Sequence, residues 1–223
     1  MKRQKNLRKD FKMPKKITKV EYIDKFLKGV VEICENLSQT DLDSFINVIL
    51  KAWLERQTIF ICGNGGSAST ASHFTADLNN CLSDIEGAHL MNVICLNDNM
   101  SRFSALVNDR GWENVYTEQL RNYFKAGDVV IGISVHGGSG KEKAGVWSQN
   151  LLKALQFAKD NGGKTLGLAG FDGGAFKKVC DVTVIVPYDT TPHVEGFHVV
   201  LHHLIYDAIP KKVAAFVEAS KNI

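Results

Sequence analysis

At 223 residues, with 44% hydrophobic and 23% charged side chains, the chain can build a sizeable core and lies outside the disordered and fibrous classes. No apolar run approaches the roughly 20 residues that span a bilayer, and no stretch of signal-peptide type opens the sequence, which points to a cytoplasmic protein. The net charge of +3 hides an asymmetry: residues 1–19 hold nine Lys or Arg against one Asp, leaving 18 basic and 23 acidic residues downstream. That segment reads as a flexible, solvated tail, because Phe11 is its only aromatic; neither nucleic acid nor a membrane is expected as a partner. Residues 20–223 read as one domain. The five cysteines are scattered without a C-x-x-C pair, and Cys62 and Cys95 end apolar runs, which excludes a zinc finger or disulfide framework.

Two helical passages come first. Tyr22, Phe26, Val30 and Ile33 share one helical face, and Leu42, Phe45, Ile49 and Trp53 another, with Thr40 and Asp43 as the expected start of the second. "TIFIC" then predicts a buried strand, followed by a glycine loop and a helix from about Ser67. The alternation continues with "LMNVICL" as strand, "WENVYTEQLRNYF" as helix, "DVVIGIS" as strand, a second glycine loop and a helix near 144–161. "KTLGLAG" and "DVTVIVP" supply two more strands around a short helix, and a long helix runs from about His193. Continuous apolar strands alternating with helices predict a three-layer α/β/α sandwich on a five-stranded parallel, doubly wound sheet. Ligands in such sheets bind beyond the C-terminal strand ends, where both glycine loops fall.

The first loop, "GNGGS", contains Asn64, Gly65, Gly66 and Ser67; the second, "SVHGGSG", contains Ser134, Val135, His136 and Ser139. Glycines let the backbone approach a ligand, and hydroxyls with amides at a helix start favour an anion such as phosphate. The first loop has no Lys for a P-loop, and Ala68 stands where a dinucleotide fingerprint needs its last glycine. His73 and Asp77 follow at i, i+4 and share one helix face.

"CGNGGSASTASHFTADL", "VNDRGWENVY", "GDVVIGISVHGGSG" and "VEGFHVVLHHLI" together resemble the sugar isomerase (SIS) domain, more narrowly its sedoheptulose 7-phosphate isomerase, or phosphoheptose isomerase, branch. The resemblance implies the flavodoxin-like sandwich and a homotetramer with active sites between subunits. It gives Asn64, Ser67 and Asp109 substrate contacts, with Gly65 and Gly66 in the same loop, and gives the second loop the phosphate. Val135 and His136 depart from the hydroxyl-rich pattern of that loop, which bears on which sugar is taken. His73 and Asp77 match metal ligands, the acid doubling as catalytic base, although the branch has Glu where Asp77 stands. Glu195 and His203 match a Gln and a His of the last helix, with His198 and His202 close by.

His73, Asp77, Glu195 and His203 would together suit zinc. Glu195 and His203 lie about 12 Å apart along a straight helix, so convergence on one ion needs an irregular helix start, long reach or a neighbouring subunit. Asp77 and His203 are the expected acid/base pair of an aldose–ketose isomerisation. Two alternatives stand beside it: an isomerase of another phosphosugar, and a non-catalytic SIS sensor or adaptor.

Overall fold

The computed structural model describes residues 20–138 and 148–221. The basic tail and Ser139 therefore lie outside the described residues. Helices α1 (Glu21–Asn36) and α2 (Gln39–Leu54) precede β1 (Thr58–Gly63), α3 (Gly66–Asn80) and β2 (Asn92–Cys95). Then come α4 (Met100–Arg110), a 3-10 turn (Trp112–Asn114), α5 (Val115–Tyr123), β3 (Val129–Ile133), α6 (Gln149–Asp160) and β4 (Lys164–Gly170). The short α7 (Phe176–Val179), β5 (Val182–Val186) and the 30-residue α8 (Thr191–Ser220) complete the chain.

The five strands are all parallel in the order β2-β1-β3-β4-β5, the flavodoxin-like order. Successive side chains of a strand face opposite layers. Ile59 and Ile61 accordingly join the core under α1, α2, α3 and α8, while Phe60 and Cys62 join the one under α5, α6 and α7. The chain leaves β1 toward β2 on one side and returns to β3 on the other, so the switch point lies between the C-terminal ends of β1 and β3. Both glycine loops open there.

Three local expectations are corrected. The second helix starts at Gln39, not near Thr40, because the Ser38 side chain accepts the Asp41 amide hydrogen bond and caps it. The passage 112–124 is not one helix: it opens as a 3-10 turn after Gly111, whose φ of 83° sets the break. Residues 100–110, for which no element was expected, form α4. No described helix is long and apolar enough to cross a membrane.

Candidate active site

A cleft of about 430 Å³ opens over the switch point. Asn64 and Ser67 of the first loop line one side; Ser134, Val135, His136 and Gly138 of the second line another; Thr191 and Glu195 at the start of α8 close it. The first loop turns through Gly65, at φ 57°, into the N-terminus of α3, whose partial positive charge favours an anion or carboxylate. Glu195 answers that field, since a methyl added at Gly66 would meet its Oε1 at 2.5 Å. Gly66 is glycine because the acid lies against it.

The second loop is tightly interlocked. Ser134 Oγ accepts from the Gly138 amide at 3.1 Å, and the Phe176 amide donates to the Gly137 carbonyl at 3.0 Å. A Cβ at Gly137, which has φ 58°, would sit 2.0 Å from the Gly173 carbonyl oxygen, so the turn admits no side chain. His136 packs its ring 4.2 Å from that of Phe171.

Asn64 is held by residues that sequence reasoning did not single out. Its amide pairs reciprocally with that of the fully buried Asn150, at 3.0 and 2.9 Å, and its Nδ2 also donates to Ser148 Oγ at 3.3 Å. Tyr116 of α5 directs its hydroxyl to the Gly63 carbonyl and to Asn64 Oδ1. Asn97, just past β2, donates to the same carbonyl at 3.0 Å and to Tyr116 at 2.8 Å. These polar residues come from three separate stretches of chain, so no local motif announces them. Asp109 stands exposed near the end of α4, bonded by Asn108 Nδ2, and does not line the cleft.

The acid and the imidazoles gather farther along the helices. α3 and α8 run side by side, bringing His73 and Asp77 against His202 and His203, with one ligand atom of each within 4.8 Å of the others. Asp77 Oδ2 lies 3.6 Å from His73 Nε2, 3.4 Å from His202 Nδ1 and 3.7 Å from His203 Nε2. None of these contacts is a hydrogen bond: Asp77 Oδ2 and both nitrogens of His202 are buried without a partner. Burial, then the neighbouring His203 and His73, push His202 down to about 4 against the pull of Asp77, so the ring is neutral at neutral pH, with one N–H and one nitrogen lone pair free to bind a metal. An orphaned carboxylate oxygen ringed by imidazoles is what a divalent metal would satisfy, so the residues fit such an ion. Glu195, grouped with them from sequence, is placed in the cleft, and His202 stands in the group instead.

Fold and cleft together define an α/β protein with a small-ligand site at the switch point of a doubly wound parallel sheet. A SIS domain model matches residues 21–170. A phosphoheptose isomerase of Helicobacter pylori is 37% identical over 194 residues, covering 87% of this chain and 91% of the relative. The lincomycin biosynthesis protein LmbN of Streptomyces lincolnensis is also 37% identical, over 84% of this chain and 68% of its own length. The structure of the phosphoheptose isomerase from Neisseria gonorrhoeae superimposes with a TM-score of 0.73 at 26% identity, covering 86% of this chain and 96% of that one. The chain belongs to the SIS domain family, in its phosphoheptose isomerase branch.

Proposed function

We propose that the protein is an aldose–ketose isomerase that converts sedoheptulose 7-phosphate to D-glycero-D-manno-heptose 7-phosphate through an enediol. The observation that carries this reading is Asp77 ringed by three histidines on the same two helices, α3 and α8, whose N-terminal ends border the cleft. A module that only senses a phosphosugar needs the cleft and has no use for that group. Similarity to a phosphoheptose isomerase over 87% of the chain supports the same reaction.

The 7-phosphate is assigned to the second loop, where Ser134, His136 and the backbone of Val135 to Gly138 meet it and Ser139 has the same role. Its binding energy positions carbons far from the loop. Asn64, Ser67 and Glu195, with the backbone at Gly65 and Gly66, take the hydroxyls at the reacting end. The Asp77 carboxylate removes a proton from C1 of the ketose while a ring N–H of His203 protonates O2, giving the enediol. Loss of the O1 proton to His203 and return of a proton from Asp77 to C2 complete the aldose, and both groups regain their starting states. The side chains of His73 and His203 are half exposed, so the group faces outward and can complete a cleft on a neighbouring subunit, as a homotetramer with shared sites requires. Zinc held by His73, Asp77 and His203 would act as a Lewis acid on the substrate oxygens.

A second substrate reading rests on Val135 and His136. With an imidazole packed on Phe171 where a hydroxyl is expected, the loop suits a differently shaped phosphosugar undergoing the same proton transfer.

Purified protein with added zinc and sedoheptulose 7-phosphate, followed by NMR, should form heptose 7-phosphate. Asp77→Asn and His203→Ala should each slow turnover about 100-fold or more while the protein stays folded. Turnover that survives both substitutions intact would falsify the assigned chemistry.

A further inference from the structure

His202 has no part in the reaction as described above, yet it is fully buried beside Asp77 with both ring nitrogens unpartnered. Asp77 Oδ2 faces it at 3.4 Å, equally unpartnered. Native interiors seldom leave two such groups opposite each other without a third party to satisfy them.

We propose that in this chain His202, rather than Glu195, supplies the fourth protein ligand to the divalent ion that His73, Asp77 and His203 would hold. Tetrahedral zinc with ligands at about 2.0–2.1 Å sets neighbouring ligand atoms about 3.3–3.4 Å apart. The three nitrogens stand 3.4 to 3.7 Å from Asp77 Oδ2 and the four ligand atoms lie within 4.8 Å of one another, so modest side-chain shifts close the set on one ion. His73 and Asp77 reach the same point because they are one helical turn apart on α3. His202 and His203 are consecutive on α8 and diverge by about 100°, so both meet one ion only where α3 packs between their directions. Asp77 occupies that position.

Glu195 is placed for something else. It precedes His202 by seven residues, about 10 Å along the helix, and its carboxylate lies against Gly66 at the mouth of the cleft. Joining the ion would take it out of the cleft and away from the start of α3. With His202 as ligand, Glu195 keeps its place against the sugar. Three imidazoles and one carboxylate leave a bound dication with a net charge of +1, where the set with Glu195 would leave zero. A donor set of this kind selects zinc, cobalt or nickel over magnesium or calcium. The proposal deepens the metal assignment made above, but its tests read ion binding and need no turnover.

The full chain, stripped by chelator and reloaded with Co²⁺, should take up one ion per chain. The intense visible absorption of a tetrahedral site is expected, with three hyperfine-shifted, solvent-exchangeable imidazole N–H signals by NMR. That count is made on the unsubstituted protein, so it stands even where a substitution at buried His202 impairs folding. Affinity should fall at least tenfold in His202→Leu and in the half-exposed His73→Ala, and change less than twofold in Glu195→Gln. Two imidazole signals, or loss of the ion in Glu195→Gln with retention in His202→Leu, would overturn the assignment. So would a parent protein that takes up no stoichiometric ion. An inactive protein that still shows three signals would defeat the isomerase reading and leave this one standing.

Discussion

At the strand ends, Asn64 is gripped by Asn150 and Tyr116, and nearly every polar atom around it has a partner. About two turns along the same helix pair, Asp77 Oδ2 and His202 are buried with none. The first region is a cradle completed by the fold itself; the second is completed by something that arrives. Substitutions should separate them, because the cradle ties stability to substrate affinity whereas the histidine group ties stability to pH and to an ion.

The largest effect on stability is expected in the cradle. Gly137→Ala places a methyl on the Gly173 carbonyl oxygen and a side chain at φ 58°. It should cost about 2 kcal/mol or more by urea unfolding and displace the second loop. A loss of under a few tenths would show that the turn is not locked.

Tyr116→Phe is milder. It removes the hydroxyl shared by Gly63, Asn64 and Asn97, at about 1–3 kcal/mol, and should raise KM more than it lowers kcat. If KM stays unchanged while kcat falls, Asn64 acts in the reaction step and is not merely held for binding.

The last change vanishes at neutral pH and shows only as a slope. Burial lowers His198 to about 4, while an unfolded-chain histidine titrates near 6.5. Between those values the unfolded chain binds more protons, so stability falls as pH drops from about 6.5 to about 4. The parent should lose up to roughly 3 kcal/mol more over that window than His198→Leu. Parallel pH profiles for the two would show that His198 is not held neutral in the native state.

The strands were legible because buried parallel strands are continuous apolar runs; "KTLGLAG" matches β4 residue for residue. α4 was not, and the cause is physical. It has no fully buried residue, and its stripe of Met100, Phe103, Leu106 and Val107 is short, only partly covered and interrupted by polar residues, so it is easily read as loop. The two loops could be placed because glycine and hydroxyl residues cluster locally after strands. Tyr116, Asn97 and Asn150 could not, since their shared task appears only when three elements meet. His202 was passed over for a related reason: adjacency to His203 does not reveal which of the two turns inward, and the answer is His202, fully buried while His203 is half exposed.

The central claim is proton transfer between C1 and C2 of a heptose phosphate, and turnover in D₂O tests it most directly. Sedoheptulose 7-phosphate incubated with the zinc-loaded protein should yield heptose 7-phosphate carrying deuterium at C2, as proton exchange at the enediol stage requires. Absence of product, or product with only protium at C2 together with no deuterium at C1 of the recovered ketose, contradicts the account.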